Sequence, residues 1–123
     1  MVRAVANSAD KNMTKLINVE TKEVLLTNLE TADSFWKRLV GLMFRKRVSQ
    51  GFGIWIKPCK SIHTMWMRMA IDVYFIDDAD TVIGVKKAVR PWQIAFAPNN
   101  TQSVLETAVG TIDLCISTKI AMS

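Results

Sequence analysis

The chain has 123 residues, half of them hydrophobic, which is enough for a single domain with its own core. Two cysteines are too few for a disulfide framework, and no apolar run approaches the ~20 residues of a membrane span. The net charge of +5 comes from 16 basic and 11 acidic residues. These features predict a soluble cytoplasmic protein with reduced thiols and no membrane partner, and they leave open a cleaved segment before Met1.

The first third of the chain predicts a loose start, two strands and a helix. Residues 1–14 are polar and lack periodicity, so we expect a flexible N-terminal segment before a single domain at residues 15–123. Short strands are predicted at residues 16–19 and 24–29. A helix is predicted over residues 31–41, with Thr31 as its N-cap. Apolar residues recur at helical spacing on one face of it, namely Phe35, Trp36 and Leu39.

The rest of the chain predicts short strands separated by turns. Aspartates at 77, 78 and 80 indicate the turn of a hairpin, and a proline or glycine interrupts most of the other segments. Strands are predicted at residues 54–56, 59–69, 71–76, 81–85, 94–97, 103–108 and 111–116. Together these patterns predict a mainly β (α+β) fold, a small single-domain β-barrel or rolled sheet with one short helix near residues 31–41.

Four segments, in this order, carry a resemblance to a known family: FWKRLVGLMFR at 35–45, SIHTMWM at 61–67, IDVYFID at 71–77, and VLE at 104–106 followed by Gly110. The chain resembles the domain-of-unknown-function family 192, a group of small, uncharacterised prokaryotic proteins, over about residues 15–120. The resemblance implies a mainly β fold of barrel type with a short helix, and it implies no activity. The chain departs from the family pattern at Ala70, at residues 107–109 and at residues 118–119, where the family usually has Pro, Leu-Pro-Ala and a Gly-Asp turn.

A metal site is one possible reading of residues 59–69. Cys59, His63 and a methionine at 65 or 67 are soft ligands of the kind that Cu(I) or zinc takes. Residues four apart on an extended strand lie ~13 Å from each other, too far to share one ion. We therefore predict no metal and no cofactor.

Hydrolytic catalysis is a second reading of the same stretch. Cys59 or Ser61 would be the nucleophile, His63 the base and Asp72 the orienting carboxylate. Neighbouring positions on one face of a strand lie ~7 Å apart, which is long for a hydrogen bond between nucleophile and base. The Gly-x-Ser-x-Gly elbow of many hydrolases is also missing from the sequence. An enzyme therefore ranks third among the possible functions, and we assign no catalytic residue.

Nucleic-acid binding is the alternative to small-ligand binding. Residues 37–68 contain eight basic side chains and no acidic one, with Phe52, Trp55 and Trp66 interleaved among them. Small barrels bind nucleic acids through basic grooves with stacking aromatic side chains.

The leading prediction is a module that binds a small molecule or an anion around His63. An apolar pocket with a few polar groups is the usual design of such a site. The predicted binding residues are His63, Thr64, Trp66, Arg68, Asp72, Arg45 and Trp92. Asp72 stands within an apolar run, so we expect it to be buried and paired, with Arg38 or Arg68 as its partner.

Overall fold

The structure, a computed structural model, describes residues 14–32, 50–59, 61–63, 69–91 and 93–123. Of residues 32, 61–63, 94 and 95 only the backbone is described. Nine strands lie in these ranges: β1 Thr14–Asn18, β2 Val24–Ala32, β3 Phe52–Ile56, β4 Ser61–His63, β5 Ile71–Ile76, β6 Val82–Val89, β7 Ile94–Phe96, β8 Ser103–Ala108 and β9 Ile120–Met122.

Seven of these strands form one sheet in the order β6-β5-β8-β3-β2-β1-β9, and β4 pairs with β7 in a separate two-stranded ribbon. Strands β2 and β3 run parallel, and the other pairs are antiparallel. The end strands meet at one corner through a bridge between Thr81 and Lys119. The sheet is therefore curled but open. The predicted mainly β fold is confirmed, and the barrel, one of its two predicted forms, is wrong. Strand β9 has three residues, too few to pair along the eight residues of β6.

The strand predictions are confirmed where the chain is most apolar. Strands β5 and β8 have the predicted bounds, and the aspartate turn joins β5 to β6, with the Asp77 carboxylate accepting the N–H of Ala79 at 2.9 Å. The strand predicted at residues 111–116 is wrong. This segment leaves the sheet after Gly110, whose φ of +82° turns the chain, and the last strand is β9.

The predicted helix begins with two residues that belong to a strand. Thr31 and Ala32 continue β2 and pair in parallel with Trp55 and Ile56 of β3. Pairing with a neighbouring strand thus overrides the capping preference of Thr31. The rest of the predicted helix, and most of the predicted N-terminal segment, lie outside the described residues. Among the residues that are described, no helix has the length and apolar composition needed to cross a membrane.

The face of the sheet inside the curl, which we call the inner face, carries the larger of two apolar clusters. Every strand of the seven-stranded sheet contributes to it: Leu16, Leu26, Leu29, Trp55, Tyr74, Ile76, Val82, Leu105 and Ile120, with Leu114 from the segment after β8. The buried Trp55 ring donates its indole N–H to the hydroxyl of Ser103 at 2.8 Å. The cluster therefore joins both ends of the sheet order in one core.

The opposite or outer face carries a second cluster on the central strands. It consists of Phe52, Ile54, Ile56, Ile71, Val73, Phe75, Val89 and Val104. Because successive residues of a strand point to opposite faces, burial of both faces produces uninterrupted apolar runs. All residues of β3 and β5 are accordingly buried.

Replacing Leu105 by Ala should lower the free energy of unfolding by about 2–5 kcal/mol, because the side chain is fully buried on the inner face. Urea denaturation measures the change. Val109→Ala, at a half-exposed position just beyond the same strand, is the control and should cost much less. Equal losses of unfolding free energy for the two variants would contradict the burial of Leu105 in the inner core.

Candidate functional site

The structure describes two of the seven predicted binding residues. His63 ends strand β4, with its backbone described, and Asp72 is described in full. The other five lie outside the described residues: Arg45, Thr64, Trp66, Arg68 and Trp92.

The ribbon that carries His63 lies beside the outer face. Its register pairs Ser61 with Phe96 and His63 with Ile94. The residues that flank the ribbon, Cys59 before β4 and Ala97 after β7, both pack against the outer cluster. The Cys59 N–H also donates to the carbonyl of Gln102 at 2.9 Å. These contacts attach the ribbon to the outer side of the sheet.

Phe96 is the exposed feature of this ribbon. Its side chain is 82% exposed, more than any other large hydrophobic residue that the structure describes, the next being Ile116 at 60%. The ribbon thus presents an aromatic ring to solvent on the strand that pairs with the His63 strand. The sequence predicted a strand here but did not single out Phe96.

A buried carboxylate lies among the apolar residues of the outer face. Glu106 of β8 is buried and stands across from Ile54 of β3 and Val73 of β5. Burial of a carboxylate requires compensating polar contacts, and Glu106 does take part in such an interaction. Glu106 belongs to the family-like motif of the sequence, but the motif alone did not show that its side chain faces this core.

Asp72 is buried and paired, as predicted. Asp72 is 1% exposed, and its two carboxylate oxygens accept the backbone N–H groups of Ala88 at 2.8 Å and Gly110 at 3.0 Å. The ammonium of Lys87 lies 3.6 Å from the same carboxylate. The arginines proposed as partners, Arg38 and Arg68, lie outside the described residues, and the cation that the structure shows is Lys87.

Lys87 reaches Asp72 because of a β-bulge. The register of β5 and β6 shifts between the pairs Ile71–Val89 and Val73–Lys86, so that Lys87 and Ala88 together oppose Asp72. Ala88 has a positive φ of 53°, which an L-residue adopts at a cost, and its N–H is held by Asp72. The carboxylate thus stabilises the bulge that brings Lys87 to it.

The ammonium of Lys87 is the centre of a polar cluster at the rim of the inner face. It donates to the hydroxyl of Tyr74 at 2.7 Å and to the carbonyl of Ile112 at 3.3 Å, and it lies 3.2 Å from the carboxylate of Asp113. Burial lowers the pKa of Lys87, but its hydrogen bonds to Tyr74 and Asp113 and its electrostatic attraction to Tyr74 and Asp72 outweigh this effect. The pKa of Lys87 is therefore raised above its ordinary 10.5.

The structure separates two of the residues of the hydrolytic reading, Asp72 and Cys59. Asp72 alternates with Val73 of the outer cluster and shares its face with Tyr74, so it lies on the inner face. Cys59 packs on the outer cluster. Asp72 and Cys59 therefore lie on opposite sides of the sheet. Within the described ranges, no group of three or more His, Cys, Asp or Glu side chains is placed to hold a metal ion.

Two of the three aromatic residues of the nucleic-acid reading belong to the cores. Phe52 is 3% exposed and Trp55 is 1% exposed, so neither ring is available to stack on a base. Lys57 lies 3.9 Å above the Trp55 ring and 3.5 Å from the carboxylate of Asp80. The remaining basic residues of the 37–68 stretch lie outside the described part of the chain.

The family comparison agrees with the resemblance seen in the sequence. The model of DUF192 (Uncharacterized ACR, COG1430) matches residues 16–119. The chain belongs to this family. The match begins within β1 and ends just before β9, and it includes His63, Asp72 and Glu106.

Relatives of the DUF192 chain include archaeal proteins named UPF0127. One from Thermococcus sibiricus is 35% identical over an alignment of 103 residues, which covers 80% of this chain and 66% of that protein. The UPF0127 protein PF1050 of Pyrococcus furiosus is 29% identical over 103 residues, covering 80% of this chain and 86% of that protein. The matched region thus spans just under two thirds of the Thermococcus sibiricus protein.

Solved structures share the fold. A candidate transcription regulator from Sinorhizobium meliloti 1021 has a TM-score of 0.75 at 19% identity, over 89% of this chain and 91% of its own. A protein of unknown function from Novosphingobium aromaticivorans has a TM-score of 0.73 at 18% identity, over 88% and 82%. At these identities the likeness shows the fold alone.

Asp72→Asn should lower the free energy of unfolding by about 1–3 kcal/mol at neutral pH. The amide has one oxygen to accept an N–H, so the Ala88 or the Gly110 N–H loses its acceptor, and Lys87 loses one of its two carboxylate partners. Urea denaturation measures the change. The control is Asp78→Asn in the exposed aspartate turn, which should change stability by about 0.5 kcal/mol or less. Similar effects of the two substitutions would show that the Asp72 carboxylate does not hold the sheet and its turn together.

Lys87→Met should remove a pH-dependent part of stability. A lysine whose folded pKa lies above its unfolded value stabilises the fold fully below the unfolded pKa, and this stabilisation is lost as pH rises through the folded pKa. The difference in unfolding free energy between the natural protein and the variant should therefore be constant from about pH 7 to 9 and shrink above the ordinary value of 10.5. Lys86→Met, an exposed neighbour on β6, should show no such change. A difference that stays constant up to pH 12 would contradict the role of the ammonium.

Proposed function

We propose that this DUF192 protein binds a small organic molecule or anion at the β4–β7 ribbon, with His63 as the polar anchor. The observation that carries the proposal is the highly exposed aromatic ring of Phe96 on the strand that pairs with the His63 strand. An aromatic surface next to a few polar groups is the common composition of sites for small ligands. The imidazole can donate and accept hydrogen bonds, so it suits a carboxylate or a phosphate as well as a neutral group.

The other proposed contacts come from the sequence. Arg68 and Arg45 would neutralise an anionic ligand, and Thr64 would add a hydroxyl. Trp66 and Trp92 would extend the aromatic surface. Asp72 is left out of the proposed contacts, because it lies on the inner face and its oxygens are already engaged. The proposal places this binding in the cytoplasm, in agreement with the cysteine usage of the chain.

Nucleic-acid binding is second, and hydrolysis is third. The basic composition of residues 37–68 still favours an anionic partner, and one protein of the same fold is a candidate transcription regulator. Burial of Phe52 and Trp55 removes two of the stacking platforms that this function would use. Hydrolysis loses support because Asp72 and Cys59 lie on opposite sides of the sheet.

The single histidine gives a direct binding experiment. Benzoate, which combines an aromatic ring with a carboxylate, and inorganic phosphate are titrated separately into the protein, and the Hε1 resonance of His63 is followed by NMR. A saturable shift with either probe supports the proposal. Nucleic-acid binding would be favoured by two results together: neither small probe shifts the resonance, and the affinity for a single-stranded oligonucleotide falls steeply between about 50 and 200 mM salt.

Phe96→Ser should weaken benzoate binding by about two- to tenfold, the worth of one aromatic contact. The substitution should leave the melting temperature nearly unchanged, because the ring is largely exposed. Ile116→Ser removes the next most exposed apolar side chain, which lies after β8, and should not affect binding. Unchanged affinity in the Phe96 variant would mean that the ring is not part of the site.

A further inference from the structure

The segment between β8 and β9, residues 109–119, runs along the inner side of the sheet without forming a strand; we call it the strap. Leu114 packs into the inner cluster with 6% of its surface exposed, and the partly buried Ile112 packs against the same cluster. Val109, Gly110 and Asp113 are exposed. The first half of the strap thus covers one end of the inner core with two apolar side chains.

The first half of the strap is held to the sheet in two ways. Thr111 donates from its N–H and its hydroxyl to the Ala108 carbonyl at the end of β8, and the other polar contacts involve groups that touch Lys87. The Asp72 carboxylate accepts the Gly110 N–H, and the Tyr74 hydroxyl donates to the Ile112 carbonyl at 2.8 Å. Lys87 bonds to Tyr74 and to the Ile112 carbonyl, and it forms ion pairs with Asp72 and Asp113. Removal of the ammonium would therefore weaken the attachments made through Asp72, Tyr74 and Asp113.

The second half of the strap is held differently, by backbone hydrogen bonds to β6 and the aspartate turn. The Ser117 N–H donates to the carbonyl of Val82, and the Val82 N–H donates to the carbonyl of Thr118, both at 2.8 Å. Lys119 forms the bridge with Thr81. This half does not depend on Lys87.

Beneath the first half lies a polar atom with unused hydrogen-bonding capacity. Thr107 stands directly across from Asp72 on the inner face and is fully buried. Its hydroxyl has no hydrogen-bond partner in the structure, whereas buried hydroxyls are normally paired. The Thr107 hydroxyl and the Asp72 carboxylate thus lie on opposed strand positions of the inner face, and Lys87 links that carboxylate to the Tyr74 hydroxyl.

We propose that residues 109–114 form a lid that opens as a unit, with Lys87 as its latch, over a site lined by Tyr74, Asp72 and Thr107. A positive φ angle at Gly110 marks the turn at its start. Local opening is expected where few side chains are buried and the hydrogen bonds lie near the surface. The opened site takes a small polar molecule that bonds to the threonine and tyrosine hydroxyls and the carboxylate. It is separate from the proposed site at the β4–β7 ribbon.

Native-state hydrogen exchange read by NMR tests the lid. In the natural protein, the Gly110 N–H should exchange by local opening, with little dependence on low concentrations of denaturant. The Tyr74 and Leu105 amides in the central strands should exchange only by global unfolding. In Lys87→Met, Gly110 should exchange about tenfold faster, the worth of a hydrogen bond to a charged group, while Ser117 changes little.

Two further variants distinguish local opening of residues 109–114 from destabilisation of the whole fold. Lys86→Met makes the same replacement one residue earlier and should leave Gly110 exchange unchanged. Asp113→Asn removes the ion pair between Lys87 and an exposed carboxylate of the strap. It should therefore accelerate exchange of the Gly110 N–H without affecting exchange of the Leu105 N–H. Two results would overturn the proposal. One is that the Gly110 N–H exchanges only through global unfolding. The other is that exchange of the Gly110, Ser117 and Leu105 amides is accelerated equally in the Lys87 variant.

Discussion

The buried carboxylate of Asp72 is the group on which the arrangement of the sheet depends. It accepts one N–H from the bulge of β6 and one from the turn that ends β8, and these strands lie on either side of β5. Leaving a buried carboxylate without its hydrogen-bond donors is costly, so both neighbouring strands are held to the position of this side chain. The bulge in turn places Lys87 where it neutralises the carboxylate. Carboxylate, bulge and lysine therefore require one another.

The two faces of the sheet divide the chemistry of the molecule. The inner face encloses the cluster formed by all seven strands, with the Asp72–Lys87 group at its rim. The outer face carries the second cluster, the buried Glu106 and the ribbon that holds His63. Side chains on opposite faces of a sheet cannot meet at one reacting atom. A site at the ribbon and a site under the strap are thus independent, and ligand binding at one does not require residues of the other.

Membership of the DUF192 family and the shared fold describe architecture without assigning chemistry. The exposed Phe96 ring and the unpaired Thr107 hydroxyl instead point to particular places on the molecule. An aromatic ring in water and a buried hydroxyl without a partner are both unfavourable in isolation, and a ligand that covers the one or bonds to the other removes the cost. Both of the proposed sites are based on this reasoning.

The sequence by itself determined the local properties of this protein: the apolar strands β5 and β8, the aspartate turn between β5 and β6, and the burial and pairing of Asp72. These follow from side-chain polarity and strand period, which act over a few residues. Only the tertiary structure decided that Lys87 is the cation at Asp72, that Thr31 and Ala32 belong to β2, and that the sheet stays open. Each of these depends on which strands pair and in which register. Alternation along one strand specifies which side chains share a face, but it does not specify the neighbour across the sheet.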